Sequence, residues 1–342
     1  MEQTDEDLKL FHDAFVENGS PRSVELLRWQ YFEPPAGRLY VDFAVAEEEK
    51  QFLAAIYAVF PVTMRVDGAR GLGVQSLNTL TDVRFRGKGL FVKMAAATYE
   101  RCGNEGVALV YGFPNQNSVH GFWTKLQWQA LDPMPHLIRP LRLSFFVDKL
   151  TRGKIRLPKF LDVRLARTRT SLPRGWTLRV ITELGAEIDE VWRRFSADIG
   201  FAVERDSEYL RWRLRRPGAF YETVGLFNER ELIGYVIIGH EGDRGGRIME
   251  LIYEPAVPQA GTILLREAFR RLAAAGCGTV WAWNYEHSRN HRDFRRAGFI
   301  PLPERFNIEH LHSGARSLTT PPSAAVAERG KWYVSMLDSD TN

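Results

Sequence analysis

Residues 79–99 read T-L-T-D-V-R-F-R-G-K-G-L-F-V-K-M-A-A-A-T-Y. A Thr-rich apolar run is followed by two closely spaced glycines, Gly87 and Gly89, and then at once by an amphipathic segment. From Leu90 onward, apolar or small side chains recur at spacings of one, three and four residues, which predicts a helix with one buried face. The stretch therefore predicts a strand, a glycine turn and a helix in immediate succession.

A glycine turn that leads into a helix can bind an anion. Glycine has no Cβ, so backbone N–H groups can approach a ligand, and the first turn of a helix adds unpaired donors and the positive end of the helix dipole. A dinucleotide fingerprint would need a third glycine where Val92 stands, and a Walker loop would need Ser or Thr where Gly89 stands. Neither motif fits, and the turn predicts a pyrophosphate cradle of another kind.

The pattern Arg84-x-x-Gly87-x-Gly89 resembles the acyl-CoA motif of the GCN5-related N-acetyltransferases (GNAT). The following buried strand at 107–113, the run 114–118 and the short helix at 119–126 are also similar to that family. The resemblance implies that the loop amides bind the CoA pyrophosphate and that the preceding strand and an Asn bind the pantetheine arm. The cofactor-binding residues that it implies are Leu80, Thr81, Asp82, Val83, Arg84, Arg86, Gly87, Lys88, Gly89, Leu90, Phe91, Asn115 and Asn117.

Two positions depart from the family pattern. Gln127-Trp128 stands where the family usually has Gly-Phe. Trp123 occupies the position where many members carry the tyrosine that protonates the departing CoA thiolate. Because an indole N–H is a donor without acid chemistry near neutral pH, either another group acts as the acid or the thiolate leaves with the help of solvent.

Three residues are candidates for catalysis. His120 is the first candidate for the general base, since imidazole titrates in the useful range, but a structural role is equally open. Asp82 is the second candidate base and could equally cap the turn. Ser118 could assist the leaving group or cap the short helix. The chemistry that this family would imply needs no metal.

Composition bounds the class of protein. A chain of 342 residues with 44% hydrophobic residues suits two domains of about 150–170 residues, each with a core. No apolar run has the length of a membrane span, and the acidic start does not resemble a signal peptide, so we expect a cytoplasmic protein. Cys102 and Cys277 lack metal-ligand spacing and are expected to be reduced structural residues.

Positive charge is concentrated in one segment. Between Arg139 and Arg174 there are eleven Lys or Arg against two Asp, whereas the whole chain has a net charge of only +4. The segment can be a solvated face, or it can contact an anionic substrate, the CoA phosphates or nucleic acid. No zinc, homeodomain or RNP-type signature accompanies the charge, so nucleic acid is the weakest of these partners.

Parts of the sequence occur twice. Leu27-Arg28-Trp29-Gln30 precedes a proline and a hairpin, and Leu210-Arg211-Trp212-Arg213 does the same at equal spacing. The second copy keeps one glycine, Gly261, before its helix and lacks the arginines. We therefore predict a CoA-binding GNAT domain at 1–140, a basic linker at 141–174 and a degenerate GNAT-like domain at 175–342.

Two local expectations complete the fold prediction. Residues 64–73 are expected to form a glycine-bearing loop before the strand at 74–83. Residues 331–336 are expected to return as an edge strand. The predicted fold class is α/β with mixed α+β sheets, built from two tandem acyl-CoA N-acyltransferase folds.

These observations lead to one main hypothesis and two alternatives. The first domain is predicted to transfer an acetyl or other acyl group from acetyl-CoA to the amine of a small molecule, with amino sugars among the candidates. The second domain would complete the acceptor cleft. The alternatives are a protein that binds CoA without turnover and an adaptor, and the sequence leaves the oligomeric state open.

Overall fold

The computed structural model describes residues 5–37, 39–47, 51–144, 171–240, 245–302 and 311–339, together with positions 147, 151, 163 and 165. Most of the basic segment at 141–174 lies outside these residues, and so does its interpretation as a linker. The described chain forms two mixed sheets with helices packed against them.

The first sheet is a meander of three long strands extended by a parallel strand. Its strands from the first half are β1 Tyr40–Glu47, β2 Gln51–Val66, β3 Ala69–Thr81, β4 Leu109–Gly112 and β5 Gln129–Ala130. The helices of this half are α1 Asp5–Glu17, α2 Val24–Phe32, α3 Leu90–Asn104 and α4 Val119–Thr124. Because β3 and β4 are parallel, α3 serves as the crossover between them.

Alternation along β2 decides which helix covers which face of this sheet. Ile56 and Ala58 are buried in the core that contains α1, whereas Ala55, Tyr57 and Val59 are buried in the core that contains α3. Successive side chains of a strand point to opposite faces, so an apolar run without alternation indicates a strand covered on both sides. The middle strand of the meander, β2, is buried in this way.

The loop predicted at 64–73 is wrong, because β2 and β3 continue through it as one long hairpin. The turn is only Asp67 and Gly68, both with positive φ (52° and 85°), which is the backbone that a two-residue hairpin turn requires. Gly73 lies within the strand, where a Cβ would come 2.3 Å from the sulfur of Met64. This glycine makes room for a neighbouring side chain and does not mark a loop.

The second sheet repeats the plan of the first. Its strands from the second half are β7 Trp176–Val180, β9 Tyr221–Asn228, β10 Glu231–His240, β11 Gly246–Tyr253, β12 Thr279–Trp283 and β13 Ile300–Pro301. Its helices are α5 Ala186–Phe195, α6 Ser207–Arg213, α7 Gln259–Ala274 and α8 His291–Arg296. Here too β11 and β12 are parallel, with α7 as the crossover.

Each half gives a strand to the sheet of the other. The strand β6, His136–Pro140, pairs with β12 and β13 in the second sheet, and β14, Gly314–Ser317, pairs with β4 and β5 in the first. The two exchanged strands occupy equivalent places in their host sheets. A short strand β8, Ala202–Val203, also crosses over to pair with the end of β2. The halves are therefore interlocked through their backbones.

The repeated Leu-Arg-Trp segments meet at the centre of the molecule. The indole rings of Trp29 and Trp212 stack at 4.6 Å, and each indole N–H donates to the backbone carbonyl of the other Trp, at 2.9 and 3.1 Å. Such reciprocal contacts are those of a two-fold axis relating two equivalent elements. The predicted tandem arrangement of two similar α/β folds is confirmed.

The end of the described chain is buried between the sheets, so the edge strand predicted at 331–336 is wrong. Apart from one parallel bridge between Phe201 and Trp332, this region consists of 3-10 turns. Arg205, with a fully buried side chain, forms ion pairs with Glu250 of β11 at 2.6 Å and with Asp338 at 2.7 Å. The tail is therefore fixed to the second half by a buried charge cluster in which each charge has an opposite partner. Gln75 of β3 also donates to the Asp338 carbonyl at 2.7 Å, which ties the tail to the first half.

Candidate active site

A gap opens where β3 and β4 separate. The two strands pair from Gly73 with Leu109 to Ser76 with Gly112, and β3 then continues to Thr81 while β4 ends. At this point the register of β3 against β2 shifts, because Leu77 is an extra residue in a β-bulge. The edge of β3 beyond the bulge faces the gap, and a strand edge without a neighbouring strand offers backbone N–H and C=O groups to a ligand.

The gap is the floor of a cleft of about 680 Å³. Its walls come from three parts of the first half, and the lining residues are positions 76–81 of β3, Arg86, positions 113–115, 117 and 118 after β4, Phe122, Trp128, and Phe15, Asn18, Ser20 and Arg22 beside α1 and α2. Leu311 adds a residue from the second half. A cavity of this size and mixed polarity is typical of a site for an extended small molecule.

The glycine loop lies at one end of this cleft and has the predicted geometry. Gly87 and Gly89 have positive φ (79° and 74°), and a Cβ built at either would meet no described atom within 4 Å. The first backbone hydrogen bond of α3 is donated by Lys93 to Gly89 at 3.1 Å. The preceding N–H groups of the helix therefore lack intrahelical acceptors, as an anion site requires.

Cationic side chains surround this loop. Arg86 and Lys88 are both exposed; Arg86 donates from Nε to the Thr81 carbonyl at 3.3 Å, and the Lys88 ammonium lies 4.3 Å from the centre of the Phe85 ring. Arg84 instead forms an ion pair with Asp82. The loop thus combines free backbone donors with positive charge, the pair of features that binds phosphate.

Asp82 is a capping residue in the structure. It is 4% exposed, it caps the 3-10 turn Val83–Phe85 through the backbone N–H of Arg84, and its two oxygens accept from the Arg84 guanidinium at 2.9 and 3.0 Å. The Arg84 hydrogen bonds hold the pKa of this carboxyl at about 2. These contacts favour the capping role over the role of a general base.

The remaining predicted residues divide into two groups. Leu80, Thr81, Asn115, Asn117 and Ser118 line the cleft, and Asn115 Oδ1 accepts from the backbone N–H groups of Asn117 and Ser118 at 3.0 and 3.2 Å. Val83 is exposed, while the Leu90 and Phe91 side chains pack against the core behind α3. His120 is exposed on α4 and is not among the residues that line the cleft.

Trp123 also lies away from the cleft. Its ring packs against Gly314 of the exchanged strand β14, where a Cβ would come 2.3 Å from the indole. Phe122 and Trp128 line the cleft in its place. The Trp123 indole therefore packs across the junction of the two halves.

A chain of hydrogen bonds that the sequence did not predict ends at Ser76, where β3 and β4 separate. Trp128 Nε1 donates to the Tyr99 hydroxyl at 3.0 Å, Tyr99 and Tyr57 share a 2.6 Å hydrogen bond, and the Tyr57 hydroxyl donates to Ser76 Oγ at 3.0 Å. Because Tyr57 donates its one hydroxyl proton to Ser76, Tyr99 is the donor to Tyr57, and the Ser76 O–H is not used within this chain. Ser76 lines the cleft, so its hydroxyl can donate to a ligand there. The four residues are far apart in sequence, so no local motif marks them.

The equivalent loop in the second half is filled by protein atoms. A Cβ on Gly261, at the start of α7, would come 2.7 Å from both the Asp293 carboxyl carbon and the Tyr253 ring. The buried Asp293 carboxylate accepts from Thr262 at 2.9 Å and from the Tyr253 hydroxyl at 2.5 Å. A buried carboxylate therefore lies beside the start of α7.

Two classes of feature are absent from the described residues. No described helix is long and apolar enough to cross a membrane. Within the same ranges, no three His, Cys, Asp or Glu side chains are grouped as metal ligands would be.

Comparisons with known proteins agree with this geometry. Residues 1–130 match the sequence profile of a family described as an acetyltransferase (GNAT) domain, and no curated protein matches the chain. Among solved structures, the chain is similar to a tandem GNAT protein from the clavulanic acid biosynthesis pathway, with 15% identity, a TM-score of 0.54, and coverage of 92% of this chain and 96% of that one.

Two further structures show the same fold. One is Saccharomyces cerevisiae N-myristoyltransferase with bound myristoyl-CoA, with 13% identity, a TM-score of 0.60 and coverage of 98% and 86% of the two chains. The other is a GCN5-related N-acetyltransferase from Anabaena variabilis ATCC 29413, with 10% identity and a TM-score of 0.63. The match covers 94% of this chain and 72% of that one. This fold supports acyl transfer from acyl-CoA to an amine. Residues 1–130 thus match the GNAT domain family, and the chain as a whole has the fold of a tandem GNAT protein.

Proposed function

We propose that the first half of this protein transfers an acyl group, most simply acetyl, from CoA to an amine of a small molecule. The observation that carries the proposal is the continuity of the site, since Thr81 and Arg86 of the glycine-loop region line the same cleft as the free edge of β3. A pyrophosphate bound at the loop and a pantetheine arm laid along the strand edge would follow one continuous path.

Each part of the cleft then has a role. The N–H groups that begin α3, with Arg86 and Lys88, would bind the pyrophosphate. The β3 edge beyond the bulge would pair with the amides of pantetheine, and Asn115 and Asn117 would contact the arm from the opposite wall. These are the interactions that bind an extended, polyanionic cosubstrate with many backbone-like amides.

The Ser76 hydroxyl is our candidate to assist the leaving group. When the amine attacks the thioester, negative charge develops on the sulfur, and a donor already aligned by Tyr57 and Tyr99 stabilises that charge without reorganisation. This role does not require the tyrosine that is missing at Trp123. His120 remains a prediction from the sequence, and its exposed position outside the cleft lends it no support.

We infer further that the second half binds no CoA. The Asp293 carboxylate, which is 4% exposed, fills the space beside Gly261 and would repel a phosphate there. The second half would instead contribute to the acceptor side of the cleft, where Leu311 already lies. Such a division would leave the chain with one active site.

A CoA-binding protein without turnover is the second candidate, because Trp123 removes the usual acid. The two functions are separated by measuring release of the CoA thiol from acetyl-CoA by the full chain across a panel of small amines, together with calorimetric titration of acetyl-CoA. Binding with amine-dependent thiol release is the expected result. Binding without release under any amine would favour the non-catalytic protein, and absence of binding would refute both.

A further inference from the structure

A second cavity adjoins the cleft at the junction of the two halves. It has a volume of about 300 Å³, and Leu311 lines both spaces. The chain at Leu311 bridges Asn115 in the cleft wall, and the next residue, His312, donates its backbone N–H to Pro114 at 2.9 Å. The second cavity is therefore fixed directly beside the wall of the cleft.

One histidine in this cavity is oriented as a proton acceptor. His312 Nδ1 lies 2.6 Å from Asp132 Oδ2, while the other Asp132 oxygen accepts from the backbone N–H of Ser313 at 2.7 Å. Because the carboxylate only accepts, Nδ1 carries the proton, and the lone pair of the neutral ring is on Nε2. The His312 side chain is 34% exposed and lines this cavity.

A second histidine in the cavity wall is a buried donor without a partner. His136, on the exchanged strand β6, is 9% exposed, and its Nδ1 lies 3.2 Å from the indole nitrogen of Trp283. Since the indole only donates, Nδ1 accepts and the ring proton is on Nε2. Burial lowers the pKa of His136 to about 4, so the ring is neutral near pH 7. Among the described residues its Nε2 has no hydrogen-bond partner.

An unpaired buried donor needs an explanation, since leaving one unsatisfied costs about 1–3 kcal/mol. The cavity also contains the carboxylates of Asp132 and Glu286, and Glu286 is paired with Arg329 at 3.1 Å. The surroundings therefore suit a ligand that offers a neutral oxygen to His136 and an amine to His312. An anionic oxygen would lie close to the Asp132 carboxylate and would be disfavoured.

We propose that this cavity binds the acceptor, and that the acceptor is an amine that also carries a hydroxyl or carbonyl oxygen. The inference rests on the proposed acyl transfer. The amine nitrogen attacks the thioester carbonyl, a C–N bond forms, and the C–S bond breaks with its electron pair leaving on sulfur. His312 Nε2 takes the proton released by the amine, and the thiolate takes a proton from solvent. His136 fixes the acceptor through its oxygen.

The first test uses the unmodified full chain and two amines of similar size. Glucosamine offers hydroxyl groups beside its amine, whereas cyclohexylamine offers none. A site with a buried donor discriminates strongly against a ligand that leaves the donor unpaired. We expect kcat/KM with acetyl-CoA, calculated for the concentration of the neutral form of each amine, to be at least tenfold higher for glucosamine, and equal values would overturn the proposal.

The second test uses three variants. His312→Gln should lower kcat for the preferred amine by about 10²–10⁴-fold, the usual range for loss of a general base. His136→Phe should raise KM for glucosamine and remove the preference over cyclohexylamine. His240→Gln is the matched control, because His240 lies at the end of β10 beside Phe220, outside this cavity, and its rate should not change.

Calorimetry with acetyl-CoA distinguishes failure of the proposed function from failure of the cavity assignment. If the unmodified chain does not bind acetyl-CoA, the proposed function itself fails. If all three variants bind acetyl-CoA normally and His312→Gln keeps the full transfer rate, only the assignment of this cavity fails. Far-UV circular dichroism of each variant shows that the fold is retained.

Discussion

Replacement of Gly89 by Ala tests the anion cradle against a control elsewhere on the same helix. Gly89 has φ of +74° before α3, and Gly106 has φ of +81° after it. A Cβ at either position would meet no described atom within 4 Å. Each substitution should therefore destabilise the fold through backbone strain alone, by about 1–2 kcal/mol.

The two variants should differ in binding. The Cβ at residue 89 enters the space in front of the free N–H groups of α3, where the pyrophosphate is proposed to bind. Loss of one hydrogen bond to a charged group costs about 1.5–3 kcal/mol, which is roughly a ten- to 150-fold loss of affinity. The Cβ at residue 106 lies at the other end of the helix and should leave affinity unchanged.

Two assays measure these effects separately. Urea unfolding should give similar losses of stability for Gly89→Ala and Gly106→Ala, and titration calorimetry with acetyl-CoA should show weaker binding only for Gly89→Ala. Unchanged affinity in Gly89→Ala would refute the cradle. Equal weakening in both variants would show that strain in the helix, and not the ligand site, controls binding.

Three further predictions concern other parts of the chain. Trp123→Phe should leave the transfer rate within about tenfold, because this ring packs on Gly314 outside the cleft; a thousandfold loss measured with normal CoA binding would contradict this. Asp82 has a pKa of about 2, below the ordinary 3.8, so its stabilising ion pair should be present above pH 4 and be lost as the pH falls toward 2. The urea unfolding midpoints of the unmodified chain and of Asp82→Asn should therefore converge over that range. A constant difference between the midpoints would contradict the assignment. Acetyl-CoA should saturate the full chain at one equivalent, and a fragment of residues 1–150 should aggregate because it lacks β14. Binding of two equivalents, or a soluble monomeric fragment, would contradict the proposed roles of the two halves.

The sequence was sufficient where the signal lies in neighbouring residues. Two closely spaced glycines followed by an apolar pattern with a period of 3.6 residues predicted the loop and α3 from about fifteen neighbouring positions. The repeated Leu-Arg-Trp segments likewise predicted the tandem architecture, since two similar sequences fold into similar units. Local signals failed at residues 64–73, where glycines inside a strand resembled a loop because the side chain that needs the space, Met64, comes from the neighbouring strand.

The site itself depends on contacts between distant residues. Ser76 acquires a directed hydrogen-bond chain only because Tyr57, Tyr99 and Trp128 converge on it, and His312 meets Asp132 across 180 positions because β6 and β14 exchange between the sheets. A side chain's chemistry is set by its partners, and the partners are chosen by packing and strand order. The sequence by itself thus determined where a phosphate could bind and that the fold is built twice. Only the tertiary structure decided which hydroxyl and which histidines face the two cavities, because those groups are brought together by the interlocked sheets and by no local pattern.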